Sequence, residues 1–292
     1  MNKIKLIADS TSDLTDKQYA ELDCEVLPLG VSFGEEHFVD GVDIDIETLY
    51  AKVEKTGKLP KTNAVNIQTM TEAFEKHLRA GLDIIFVPIS SEFSSNYATA
   101  LSVANNLKEI YGDRIRVVDS RSLSSGIGLQ LFEIRDDIDD GLSLDKVYRN
   151  ACDRVERVNA EFVVDTMQYL YKGGRCSGIS YFIGKNFHLH PVIRVEHGKM
   201  VVHKLTRGKK IKGIDLQIEE FKKQLKNENV VMKNVFITHS LVEGDDLYMY
   251  DIITKLVDPA IVSITRAGSI VASHCGPGTI GLLYITKTKV IE

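Results

Sequence analysis

The apolar positions of this chain follow two rhythms. In the first half, the continuous apolar run at residues 84–87 and the largely apolar runs at 4–8 and 115–118 read as buried strands. Segments with helical spacing lie between them. These are residues 14–22, a helix from Asp45 to Val53, one capped by Asn66 with Met70, Phe74 and Leu78 on a single face, one through Tyr97, Leu101 and Leu107, then 124–138 and 144–158. Residues 26–33 and 37–42 alternate about Gly34, Glu35 and Glu36 and predict a hairpin. Strands that alternate with helices build a parallel sheet with helices on both faces.

The rhythm changes near residue 159. Strands are expected at 162–164, 192–196, 200–205, 235–238, 261–264 and 282–285, and helices at 167–171, 211–225 and 246–256. His197, Gly198 and Lys199 mark a second hairpin. Hairpins mixed with helices predict an α+β unit. The expected fold is α/β with two domains: 1–158, carrying a parallel sheet with a hairpin insertion near 26–45, and 159–292, an α+β domain. With no long linker between them, the two should meet across a cleft.

Composition narrows the functional classes. A chain of 292 residues can bury ample core, and a net charge of −5 argues against nucleic acid as the main partner. No apolar run approaches the roughly 20 residues of a membrane span. The first apolar stretch ends at Asp9 and reads as a strand, not a signal peptide. Cys24, Cys152, Cys176 and Cys275 show no paired spacing, which fits reduced thiols in the cytoplasm and no zinc or other metal site. Asp136, Asp137, Asp139 and Asp140 form an acidic group, and Lys204, Arg207, Lys209, Lys210 and Lys212 a basic one; both also fit solvated faces.

The polar residues with most chemical content follow the apolar run at 84–87. Ser90, Ser91, Ser94 and Ser95 surround a helix start, where free N–H groups and a partial positive charge accept caps or an anion. No Walker pattern is present, so the anion expected is a small one such as a carboxylate. Ligands of open α/β sheets bind beyond the carboxyl ends of strands, where 9–12, 90–95 and 119–125 supply hydroxyls. Thr62, beside Lys61 and Asn63, is either a turn residue or a hydroxyl facing Ser94. His274 precedes Gly276, Pro277 and Gly278, a backbone able to turn sharply against a ligand. A Ser94–His274 nucleophile pair is conceivable, but Ser94 lacks a G-x-S-x-G elbow and no third member is identifiable, so binding is preferred over hydrolysis. Gly173 and Gly174 stop a helix just before Arg175, a residue suited to phosphate or carboxylate, and Arg207 extends a cationic rim. Phe93, Phe132, Phe182, Ile183 and Phe187 are candidate apolar walls, though each taken singly fits plain core better.

Taken in order, these pieces resemble the DegV family of fatty-acid-binding proteins, the lipid-binding subunits of bacterial fatty acid kinase. The likeness runs from ADSTSDL at 8–14 through PKT at 60–62, ISS-x-x-S at 89–94, VDS at 118–120 and FVVDT-x-x-YL-x-KGGR at 162–175. It continues through HPVI at 190–193, Thr206–Arg207 and SHCGPG at 273–278. The resemblance implies a Rossmann-like DegV domain joined to an α+β domain, with a long-chain fatty acid tunnelled between them. It implies that Thr62, Ser94 and His274 hold the carboxylate, with Ser95, Asn96 and Gly276 as further ligand contacts. Arg175 and Arg207 would lie near the head group and the kinase partner, which phosphorylates the carboxylate to an acyl phosphate. The binding chain would then be no enzyme and need no cofactor; a Ser/His-dependent hydrolase or acyl transferase is the alternative, and a scaffold that binds little a third reading. The chain departs from the family pattern at Asn63, Ala64, Val65 and Asn66, at Ser95 and Asn96, and at Ala272 and Ser273.

Overall fold

Strand–helix alternation resolves into three sheets in the computed structural model, which describes residues 3–177 and 189–289. The first half runs β1 (Ile4–Asp9), α1 (Asp16–Glu21), β2 (Cys24–Leu27), β3 (Gly30–Phe33), β4 (Glu36–Val39), α2 (Ile46–Thr56), β5 (Lys61–Asn63), α3 (Ile67–Arg79), β6 (Asp83–Val87), α4 (Asn96–Tyr111), β7 (Ile115–Val117), α5 (Ser125–Asp139) and α6 (Leu144–Arg154). The second half runs β8 (Val158–Val163), α7 (Gln168–Gly173), β9 (Cys176–Ser177), β10 (Leu189–Glu196), β11 (Lys199–Arg207), α8 (Ile211–Lys226), β12 (Val230–Ser240), α9 (Asp245–Ile253), β13 (Val262–Arg266), α10 (Ser269–Cys275) and β14 (Thr279–Thr286).

The parallel sheet has the order β2-β1-β6-β7. Its central strands carry apolar residues on both faces because each face is covered: Ile7, Ile84 and Phe86 pack on α3 and α4, whereas Leu6, Ile85 and Val87 join the core around α5. The second sheet is mixed, with order β13-β12-β14-β8-β10-β11-β9. Val163, Ile237 and Leu282 pack with α8 and α9 on one face, and Phe162, Phe236 and Leu283 join the α5 core on the other. The layers are therefore α8–α9, mixed sheet, α5–α6, parallel sheet, α3–α4. Helix α5 touches strands of both large sheets.

Local chemistry explains the boundaries. Asp45 Oδ1 accepts from Thr48 N (2.8 Å) to start α2, and Asn66 Oδ1 accepts from Thr69 N (2.8 Å) to start α3. The run at 26–33 is two strands, not one. Cys24–Leu27 completes the parallel sheet, Pro28 removes a ladder donor, and Gly30–Phe33 opens a separate antiparallel sheet of order β4-β3-β5. Residues 61–63, for which a turn is one of two readings, are the third strand of that sheet, with Thr62 opposite Val31. The helix expected to reach residue 158 ends at Arg154, and a 3-10 turn leads into β8.

Candidate functional site

Loops leave the carboxyl ends of β1, β6 and β7 side by side. Asp9, buried at the end of β1, holds the loop after β6: its Oδ2 accepts from Ile89 N (3.0 Å) and Asn96 Nδ2 (2.9 Å). Burial raises the Asp9 carboxyl, and these donors together with Thr11 pull it back. Asp119, after β7, accepts from Ser91 N (3.0 Å) and Ser91 Oγ (2.6 Å). The loop is thus tied to its neighbouring strands, and it presents Ser94 and Ser95 to a cavity of about 570 Å³.

That cavity lies between the loops of the parallel sheet and the inner face of the mixed sheet. Its walls include Ile89, Phe93, Phe162, Leu170, Met200 and Leu283. Of the eight residues expected to contact the ligand or its partner, five line it: Thr62, Ser94, Ser95, Arg175 and His274. Thr62 Oγ1 and His274 Nε2 are 3.0 Å apart, and either can donate according to the imidazole tautomer. Thr62 arrives there because β5 pairs with β3; His274 sits in the last turn of α10.

The glycines at 173 and 174 have different tasks. A Cβ on Gly173 would lie 2.5 Å from His274 Nδ1, so the close approach of α7 to α10 requires its absence. Gly174 has φ +66° and caps α7 in the left-handed region, its N–H donating to Leu170 O (3.2 Å). Burial and then the nearby Arg175 charge pull the His274 pKa down to about 4. The imidazole is therefore neutral near pH 7, with Nδ1 buried and unpaired. Arg175 donates to Gly173 O (2.6 Å) from an exposed position.

A hydroxyl and a neutral imidazole in an apolar chamber can donate to a carboxylate or pair with a carboxylic acid. The Ser94–His274 nucleophile pair is not formed: His274 Nε2 pairs with Thr62, and Ser94 Oγ accepts from Asn96 N (3.3 Å). Among the described residues, no group of His, Cys, Asp and Glu could hold a metal, and no helix is long and apolar enough to cross a membrane.

Three expected contacts lie elsewhere. Asn96 is fully buried, its Oδ1 accepting from Val65 N (2.9 Å) and its Nδ2 donating to Asp9, so it fastens the loop and does not line the cavity. Gly276, at φ +80°, turns the chain after α10 against Tyr169 and is not in the lining. Arg207 ends β11 as an exposed residue outside the lining, its carbonyl accepting from Lys212 Nζ (3.0 Å). Among the candidate walls, Phe93 lines the cavity, whereas Phe132 packs on Phe236 with centroids 6.1 Å apart. Phe182, Ile183 and Phe187 lie outside the described residues. Sequence reasoning missed α10 as a helix, and with it Ile270 and Val271 of the cavity wall. It also missed Tyr50, whose hydroxyl meets Ser240 Oγ (2.5 Å) and donates to Ala272 O (3.2 Å). Adjacent apolar residues before Cys275 were the available signal for α10.

The family model described as uncharacterised proteins of the DegV family matches residues 3–287. The chain belongs to the DegV family. A DegV domain-containing protein of Clostridium perfringens is 28% identical over 293 residues, covering 99% of each chain. Among solved structures, the DegV protein of Thermus thermophilus reported for fatty acid binding superposes with TM-score 0.88 at 23% identity, over 97% of this chain and 99% of that one. A stearic acid-binding protein of Eubacterium ventriosum gives TM-score 0.86 at 25% identity, over 98% and 99%.

In this DegV chain the positions expected from the resemblance to depart from the family pattern have defined places in the structure. Asn63 and Ala64 line the cavity, Val65 is buried, and Asn66 caps α3. Ala272 is buried within α10, and Ser273 Oγ donates to Ser269 O (2.6 Å) in the turn before it.

Proposed function

We propose that this DegV protein binds a long-chain fatty acid in the cavity, with 1–158 and 159–292 as the two domains that enclose it. In this reading Thr62, Ser94 and His274 hold the carboxylate, and a fatty acid kinase partner phosphorylates it on the carrier, with Arg175 and Arg207 on the partner-facing side. The observation that carries the reading is the 3.0 Å Thr62–His274 pair set in a chamber with largely apolar walls. Fatty acid binding by relatives of the same fold supports it. Burying about 15 methylenes supplies on the order of 12 kcal/mol before the costs of association. The chain itself supplies binding and presentation, not phosphoryl transfer.

The test is mass spectrometry of organic extracts from natively purified protein, followed by titration with fatty acids. A stoichiometric fatty acid supports the reading and identifies the cargo. An empty protein that takes up none on incubation overturns it. A covalent adduct on Ser94 with an activated acyl probe would favour the hydrolase or acyl transferase instead.

A further inference from the structure

His274 is only as well placed as α10, a helix of two turns. The N–H groups of its N-cap, Gly268, and of its first residue, Ser269, are held by buried carboxylates from the other half of the chain. Gly268 N donates to Asp13 Oδ1 (2.8 Å), and Ser269 N donates to Asp40 Oδ1 (2.8 Å). A Cβ on Gly268 would lie 3.3 Å from an oxygen of each, so the two carboxyls grip the residue before α10 closely. Asp13 Oδ2 also meets Ser124 Oγ (2.5 Å), at the entry to α5 on the cavity wall. Asp13 thereby ties together the turn after β1, the start of α5 and the start of α10.

We propose that Asp13 is a positioning residue for the head-group site: with Asp40 it fixes the start of α10 and so sets His274 against Thr62. This inference rests on the fatty acid reading above. Asp13 is 5% and Asp40 4% exposed, and the titratable groups facing Asp13 are Asp9, Asp40, Tyr19 and Cys275, with no cation among them. Burial, and then the Asp40 and Asp9 charges, push the Asp13 carboxyl up to about 8 against the pull of Ser124 and Gly268. Near neutral pH it is a neutral acid that can accept from Gly268 and pair with Ser124. Asparagine reproduces that arrangement.

The test follows the His274 imidazole by ¹⁵N NMR, and fatty acid affinity by titration, in wild type, Asp13→Asn and Asp13→Ala between pH 6 and 9.5. The expected result has three parts. Asp13→Asn keeps the His274 signals and affinity within about twofold at pH 7. Asp13→Ala shifts the signals and weakens affinity by about tenfold or more. Wild-type His274 signals also move with an inflection near pH 8, which Asp13→Asn abolishes. Signals and affinity unchanged in Asp13→Ala would overturn the proposal, as would the same inflection retained in Asp13→Asn. If Asp13→Ala does not fold, the pH profile of Asp13→Asn decides. A wild type that binds no fatty acid sinks the function reading, while the imidazole signals still decide the positioning role.

Discussion

Thr62 and His274 stand 212 residues apart in sequence and 3.0 Å apart at the site. Their residue types were readable from the chain, because a hydroxyl and an imidazole are what a buried carboxylate needs. Their meeting was not, because neither periodicity nor spacing encodes which strand edge faces which helix end. Replacing Thr62 by Val should weaken fatty acid binding by the value of one hydrogen bond, about 1 kcal/mol or roughly fivefold, in a titration at pH 7. Gly173→Ala should be costlier than a usual Gly→Ala change. Its methyl meets His274 Nδ1 and forces α7 and α10 apart, a loss of about 1–3 kcal/mol by denaturant titration. His274 also sets a pH dependence. Its folded pKa of about 4 lies below the ordinary 6.5, so the unfolded chain binds the proton first. Its contribution to stability is complete above pH 6.5 and falls away as pH drops towards 4. His274→Gln should flatten that part of the stability–pH curve.

Elements were legible where they were long. The amphipathic helices and the buried strands of the parallel sheet stand close to where apolar spacing puts them, and Asp45 and Asn66 cap the helices expected of them. Two short elements escaped. β5 has three residues and α10 seven, too few for a period to register. The run at 26–33 looked continuous because Pro28 breaks the hydrogen-bond ladder without interrupting the apolar pattern. These short elements carry Thr62 and His274, so the least readable parts of the fold hold the candidate head-group site. Ala272 bears on this scale: it is wholly buried in mid-α10. Ala272→Gly should cost about 1 kcal/mol, since glycine lowers helix propensity by that amount and so short a helix has little reserve. A lower denaturation midpoint together with weaker fatty acid binding would tie the helix to the site. A lower midpoint with binding intact would confine the effect to stability.

For the whole molecule, the decisive feature is the helical layer between the two large sheets. The sequence reads as two successive sheet-forming halves, and nothing in its periodicity says that one helix serves both. Yet Ile127, Leu131 and Ile134 of α5 belong to a single buried core with Leu6, Ile85 and Val87 from the parallel sheet and Phe162, Phe236 and Leu283 from the mixed one. Neither sheet can keep its inner face covered if α5 leaves. The halves should therefore unfold together, despite building separate sheets. Leu131→Ala, at a fully buried position, should cost about 2–5 kcal/mol. In native-state hydrogen exchange it should lower protection in β6 and β12 by the same amount. If β6 kept its protection while β12 lost it, the shared layer would not couple the sheets. Coupling would have a direct bearing on the cavity, whose wall takes Ile89 from the first half and Phe162 and Leu283 from the second. A ligand bound between them should raise the stability of both sheets equally, by an amount set by its concentration relative to its dissociation constant.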